Sequence, residues 1–513
     1  MTAKRERIPT ASGNGESEII SLNPATLDEV GRVYAGSVVE VEDTVSRART
    51  AQPAWGSLSY RNRARYILKA RRLLYDRQDE IVNLISDETG KPQFEALATE
   101  VLPMLDLMSH YASKAEKILK DERFFLAVFR NKRSLITHEP LGVVGIISPW
   151  NFPFAIPAGQ IVMALMGGNA VVLKPSEYTP IVGAAIQKLF LDAGLPAGVL
   201  ELVQGAGPTG AALVDAQVDK IVFTGSGHTG RKIAIRAAER LLPVVLELGG
   251  KDPMIVCEDA PFERTVSGAV WGAFACCGQV CASVERLYVE QPIADKFINA
   301  VVEEAKKLRV GPSLGCSNDI GPLSNENQLR IVCDHVEDAV KKGAKVLTGG
   351  NRREDLGGYF FEPTVLVNVN DTMKVMTEET FGPVLPIKVV KNDDEAVREA
   401  NNSRYGLLAS VWTGDKERGR RLARRIEAGT VIINDAVYTH GAAATPWFGV
   451  KESGLGVTHG SAGLFEFVKM KHVNWGVWEL KRDIWWFPYS QRWEKRMKAL
   501  IKLLYRWGLR KIL

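Results

Sequence analysis

The feature that most constrains this chain is an alternation of two hydrophobic periods between residues 133 and 250. Short β-branched runs, SLITHEPLGVVGII, AVVLKP, VLELVQ, KIVFT and PVVLEL, are separated by segments with helical spacing, IPAGQIVMALM and GRKIAIRAAERL. Short strands joined through helices need crossover connections, so this stretch predicts a parallel sheet with helices packed on it. A second alternation runs from about 252 to 447 through KVLTGG, YFFEPTVLVNV and VLPIKVV. Ahead of both, between 40 and 120, Ile67, Leu73, Leu74, Ile81 and Leu84 fall among charged residues at spacings of about one or two helical turns, a helical pattern. With 513 residues the chain is too long for one ordinary core, and it is expected to be an α/β protein of two lobes joined near residue 250.

Composition narrows the class. Hydrophobic residues make up 46% of the chain and charged residues 24%, which excludes collagen-like and wholly disordered chains. Residues 1–18, MTAKRERIPTASGNGESE, lack the apolar stretch of a secretory signal and are expected to be a disordered arm. Six cysteines, at 257, 276, 277, 281, 316 and 333, are too few for a disulfide framework and fit a reducing, cytoplasmic compartment. From 481 to 513 ten Lys/Arg face only Asp483 and Glu494, a local +8 against a whole-chain +5. The other 480 residues therefore carry −3, so a nucleic-acid reading of the whole protein has no support.

Several segments carry chemistry. GAGPTG at 205–210 and GSGHTG at 225–230 each match G-x-G-x-x-G where a strand turns into a helix, a place where free N–H groups can hold a phosphate. Glycine also simply makes tight turns, so either segment alone is ambiguous; the second is favoured because Ser226 adds a hydroxyl and no proline interrupts it. In GAFACCGQVCASVERLYV, Cys276 and Cys277 are adjacent and no histidine lies near, so no metal site is expected. Those two read as small buried hydrophobes, whereas Cys281, behind Gly278, Gln279 and Val280, reads as a nucleophile. Glu247 in LELGGKDP is either a carboxylate raised in pKa by apolar neighbours, hence a base, or an ordinary salt-bridged residue. Asn151 in SPWNFPF is either an oxyanion donor or a loop anchor.

From Leu22 to Val473 the chain resembles the aldehyde dehydrogenase superfamily. The likeness rests on seven segments in order: PWNFP at 149–153, KPSE at 174–177, FTGSGHTG at 223–230, LELGGK at 246–251, GQVC at 278–281, EETFGPV at 378–384 and FGVKESGLG at 448–456. The resemblance implies that Cys281 attacks the aldehyde carbon, that Asn151 and the Cys281 N–H hold the oxyanion, and that Glu247 activates water to hydrolyse the thioester. It implies NAD as cofactor, with Ser148, Trp150, Lys174, Ser176, Glu177, Gly225, Ser226, Gly230, Glu379 and Phe381 around it. Glu177 would accept ribose hydroxyls and repel a 2′-phosphate, favouring NAD over NADP. The family fold implies a Rossmann-type NAD-binding lobe from 19–123 and 140–250, and a catalytic lobe from 251–447. It also implies a β oligomerisation extension from 124–139 and 463–477 that builds a homodimer or tetramer. One departure is Cys276 where relatives commonly carry Asn, which suggests a resolving thiol for Cys281.

The substrate is expected to be an apolar aldehyde, medium to long in chain or aromatic. The helix after PWNFP carries small Ala155, Ala158 and Gly159, and no Arg or Lys lies between 435 and 448 to bind a carboxylate. The alternatives are a succinate-semialdehyde-type enzyme, acyl transfer to CoA or esterase chemistry on the same thiol, and, remotely, a non-catalytic membrane scaffold. The tail, 478–513, places Trp493, Met497, Leu500, Leu504 and Trp507 on one helical face flanked by Arg492, Lys495, Arg496, Lys498, Lys502 and Arg506. That basic amphipathic pattern predicts peripheral membrane contact through 485–513, against packing on a neighbouring subunit or on the tunnel mouth.

Overall fold

The computed structural model describes residues 17–126, 129–312, 317–479, 481–483 and 485–506. The arm to residue 16, Cys316 and Trp507 lie outside them. The chain divides into a larger unit, up to Ala115 and from Pro140 to Phe467, and a smaller one, Glu116–Glu139 with Val468 onward.

The larger unit holds two sheets. In the first, Val143–Ile147, Ala170–Lys174, Leu200–Leu202, Lys220–Thr224 and Val244–Glu247 are all parallel. Counted along the chain, these five lie in the spatial order 3-2-1-4-5, and Gly454–Leu455 adds an antiparallel edge. The crossovers include the helices Ala155–Met166, Pro180–Asp192, Gly207–Asp215 and Gly227–Ala238. Helices on both faces explain why Val143–Ile147 and Ala170–Lys174 are buried at every residue, a continuous apolar run rather than an alternating one. Each fully buried Ile or Val there contributes about 1.5–3 kcal/mol. Helix Ala155–Met166 is buried along its whole length, which its nearly unbroken apolar sequence requires.

The strand order reverses between Val143–Ile147 and Lys220–Thr224. In such sheets the two flanking crossovers leave in opposite directions there, which opens a crevice outside the carboxyl ends of the strands. The second sheet has seven strands, Asp252–Val256, Val284–Glu290, Lys345–Thr348, Thr364–Val367, Val384–Val390, Leu408–Trp412 and Thr430–Ile433, in the order 3-4-5-2-1-6-7. All are parallel except Lys345–Thr348. The expected α/β fold with parallel sheets is the one observed.

In the smaller unit a three-stranded sheet has Lys132–Pro140 at its centre, between Glu122–Phe124 and Val468–Gly476. Residues 463–467, expected with this extension, instead follow from the helix Gly460–Phe465 of the larger unit. Phe129 and Trp485 meet edge to face at 5.4 Å. Helix Gln491–Ile501 is capped by Ser490, whose hydroxyl accepts the Trp493 N–H at 3.3 Å, and has no buried residue. No helix among the described residues is long and apolar enough to cross a membrane.

Candidate active site

The carboxyl ends of the first sheet meet the amino ends of the second. Strand Val143–Ile147 runs into Ser148, Trp150 and Asn151, and Val244–Glu247 ends on Glu247. From the other side, Cys281 lies three residues ahead of Val284–Glu290, and Glu379 and Phe381 lie just ahead of Val384–Val390. The glycine pair between Glu247 and Lys251 lets these edges touch. A Cβ on Gly249 would sit 2.3 Å from a Glu379 oxygen, and one on Gly250 2.5 Å from the Cys281 carbonyl oxygen. Any side chain there would push the nucleophile segment off the sheet.

Cys281 and Glu247 line one small cavity, about 20 Å³, room for roughly a single water. Gln160, Thr224, Trp447, Thr458 and the imidazoles of His440 and His459 share its wall. Burial pushes the Cys281 thiol well above its ordinary pKa, and the carboxyls of Asp252, Glu247 and Glu379 push the same way, so it rests as a thiol. Burial also raises Glu247, to about 8, against the downward pull of hydrogen bonds from Thr458 and Trp447. Its Oε1 accepts the Thr458 hydroxyl at 3.3 Å, while Oε2 has no hydrogen-bond partner among the described residues. This is the apolar, raised carboxylate of the two readings open from sequence, not the salt-bridged one.

Asn151 does not line that cavity; it borders an adjoining one with Cys276, Cys277 and Gln279. Its Nδ2 donates to the Gln279 carbonyl at 2.9 Å, which ties it to the nucleophile turn two residues before Cys281. Its own carbonyl accepts Lys91 Nζ at 2.8 Å. Lys91 pairs with Glu100 at 2.7 Å, and the other Glu100 oxygen accepts the N–H groups of Phe154 and Ala155 that open helix Ala155–Met166. Cys276 is buried and left-handed (φ 52°), and burial with the neighbouring Glu95 pushes its thiol well above the ordinary range. Its side chain packs among the buried residues beside the nucleophile turn.

The expected cofactor residues gather along the crevice. Ser148 Oγ is buried there without a hydrogen-bond partner among the described residues. Lys174, at the end of the neighbouring strand, donates to the Gly205 carbonyl at 2.5 Å and lies 3.9 Å from Glu177, whose side chain is 38% exposed. Ser176 Oγ donates to Glu177 at 3.4 Å. Segment 225–230 turns strand Lys220–Thr224 into helix Gly227–Ala238, and a Cβ on Gly230 would strike Leu248 at 2.4 Å. The Ser226 hydroxyl is already engaged: it caps that helix by accepting the Thr229 N–H at 3.3 Å. The other glycine segment, 205–210, opens helix Gly207–Asp215. Glu379 Oε1 accepts the Gly250 N–H at 3.0 Å, and burial with Glu285 nearby lifts its pKa to about 8. The Phe381 ring meets Trp150 edge to face at 5.5 Å. An orphaned buried hydroxyl, a helix N-terminus and an acidic residue one strand over fit a dinucleotide laid across the crevice. No group of His, Cys, Asp and Glu among the described residues could hold a metal.

Thr458, His459, His440, Trp447, Lys91 and Glu100 were not singled out from sequence. VTHG at 457–460 directly follows FGVKESGLG at 448–456, and that adjacency is the one available signal. Lys91 and Glu100 carry no local pattern, since their partners are brought in from residues 151–155.

Residues 10–473 match the model of the aldehyde dehydrogenase family. A 4,4′-diapolycopene aldehyde oxidase of a Methylomonas species is 38% identical over 489 residues, 95% of this chain and 91% of that protein. A Mycolicibacterium smegmatis protein, provisionally named an NADP(+)-linked succinate-semialdehyde dehydrogenase, is 37% identical over 446 residues, 87% of this chain and 86% of its own length. Among solved structures, a Mycobacterium tuberculosis aldehyde dehydrogenase complexed with NAD+ superposes with a TM-score of 0.86 at 33% identity, covering 91% of this chain and 95% of that one.

Proposed function

Because the chain belongs to the aldehyde dehydrogenase family, we propose that it oxidises an apolar aldehyde to the carboxylic acid with NAD. The observation that carries the hydrolytic reading is the meeting of a thiol, Cys281, with a buried carboxyl raised to about 8, Glu247, in one cavity. As the Cys281 sulfur bonds to the aldehyde carbon its thiol proton is released to solvent, which leaves Glu247 free to act as base in the later hydrolysis. The carbonyl oxygen becomes an oxyanion for the Cys281 N–H and the Asn151 amide, which has a second N–H besides the one bonded to Gln279. NAD, when bound, supplies the hydride acceptor; Ser148, Trp150, Lys174, Ser176, Glu177, Gly225, Ser226, Gly230, Glu379 and Phe381 are the residues proposed to hold it. With the hydride gone, Cys281 carries the acyl group as a thioester. Glu247 Oε2 then takes a proton from water, the water oxygen bonds to the acyl carbon, the C–S bond breaks to release the acid, and the proton held by Glu247 passes to the Cys281 sulfur.

The apolar substrate is supported by the cavity wall, to which Ile156, Leu248 and Trp447 contribute and in which no Lys or Arg is found among the described residues. The test is aldehyde-dependent NADH formation by the full-length chain and by Cys281→Ser, with acetyl-CoA-type products sought in parallel. NADH with free acid in the first and none in the second supports the reading; a CoA ester as product overturns the hydrolytic branch.

The tail reads as a peripheral membrane contact. Trp485, Trp486, Phe487, Tyr489 and Trp493 are exposed, and the surrounding segment carries the +8 that would meet an anionic lipid surface. The three-stranded sheet of the smaller unit is proposed to build the homodimer or tetramer, since its outer strand Val468–Gly476 is exposed over most of its length.

A further inference from the structure

We propose that His459 sets the basicity of Glu247 through the hydroxyl of Thr458, which makes His459 a positioning residue for thioester hydrolysis. The proposal rests on the reading of Glu247 as the hydrolytic base. Thr458 has one hydroxyl proton and three acceptors for it: Glu247 Oε1 at 3.3 Å, His459 Nδ1 at 3.1 Å and the Trp447 carbonyl at 3.5 Å. Which acceptor receives it depends on the imidazole. When Nδ1 carries the proton, His459 donates to Thr458 and the hydroxyl is turned onto Glu247, which favours its ionised form. When Nδ1 is bare, it competes for the hydroxyl and Glu247 loses that donor.

The backbone is arranged for this contact. Thr458 and Trp447 exchange two backbone hydrogen bonds, at 2.7 and 2.8 Å, which fixes both side chains beside Glu247. His459 then adopts a left-handed conformation (φ 61°), uncommon for a side chain of this size. Its carbonyl accepts the Gly463 N–H at 2.8 Å, and the next residue, Gly460, is held by the Ala443 carbonyl and the Tyr111 hydroxyl. Surroundings that impose a strained residue at a site are the mark of a constrained role.

Charge agrees with the geometry. The titratable groups facing the cavity are Cys281, Glu247, His440 and His459; helix Ala155–Met166 and strand Lys220–Thr224 present only uncharged Ile156, Gln160 and Thr224. Burial, with the His440 ring 4.8 Å away, keeps His459 neutral by lowering its pKa well below the usual value. A neutral imidazole can orient a hydroxyl without adding a charge.

The test uses 4-nitrophenyl acetate with no cofactor present. Cys281 sulfur takes the acetyl group as nitrophenolate leaves, giving a burst; water, losing its proton to Glu247, then releases acetate and the thiolate recovers a proton. The burst amplitude counts reactive thiol, so a misfolded variant is recognised. Thr458→Val and His459→Phe should keep the amplitude and move the midpoint of the deacylation pH profile up by about one unit, while Thr458→Ser and His459→Asn restore it. If Thr458→Val shifts the midpoint and His459→Phe does not, or if His459→Phe slows deacylation equally at every pH, the proposal is overturned. Glu247→Gln separates the two readings: unchanged deacylation there sinks the base assignment itself.

Discussion

Lys91 and Glu100 form an ion pair of 2.7 Å with side chains only 4% and 0% exposed, and both reach onward to the segment that carries Asn151. The pair acts as a bracket: one partner holds the Asn151 carbonyl, the other the first N–H groups of the helix that follows. A buried ion pair is seldom a net gain in stability over apolar packing, so its use here is geometric.

Replacing Lys91 by Met should therefore strand Glu100 without a counter-charge and cost about 3–5 kcal/mol of stability, read from denaturant unfolding. The double variant Lys91→Met, Glu100→Leu should recover most of that stability. Its kcat should stay low, because the anchors on residues 151–155 are still missing. Full recovery of kcat would show that the bracket is structural only.

Glu247→Gln should leave Cys281 able to be acylated and slow hydrolysis by about 10²–10⁴-fold. The wild-type hydrolysis rate should rise with pH and level off above about 8, because a base must be deprotonated to act and burial holds this carboxyl at about 8. Single-turnover kinetics across pH checks both points, and the rising limb should vanish in the variant.

Asn151→Ala should lower kcat by about 10²–10³-fold with little change in KM for the cofactor, the loss expected for one oxyanion donor. Thermal unfolding separates this from a loop defect, since among the described residues the amide makes one hydrogen bond, to the Gln279 carbonyl.

Glu177→Ser should narrow the preference for NAD over NADP by removing a partly exposed carboxylate that repels a 2′-phosphate. The ratio of kcat/KM for the two cofactors measures it, and an unchanged ratio would place the discrimination elsewhere.

A chain ended after Trp478 should keep its activity on short aldehydes, lose binding to anionic vesicles and lose any rise in kcat/KM with chain length. Co-sedimentation with vesicles at two salt concentrations tests the electrostatic share, which screening should weaken. Undiminished vesicle binding by the shortened chain would assign the tail to assembly.

Much of this molecule is legible without coordinates. Strands buried on both faces must be apolar throughout, and the intervening helices must carry an apolar stripe, so the α/β class and its two main sheets are written as local periods. The family is written in seven short segments whose residue types serve chemistry that tolerates few substitutes. Glu247 illustrates the limit: its two readings differ only in what surrounds the carboxyl, and the surroundings come from residues about two hundred positions away, Trp447 and Thr458. Ser226 illustrates another, since a hydroxyl that could donate to a ligand is also the residue type that caps a helix.

The sequence by itself determined the fold class, the family and the list of candidate residues, because those depend on residue type and spacing along the chain. Only the tertiary structure decided which residues share a cavity: that Cys281 and Glu247 do, that Asn151 is tied in through Gln279 instead, and that Lys91, Glu100, Thr458 and His459 belong beside them. The physical reason is that burial and hydrogen bonding act through space, between groups that chain separation does not connect.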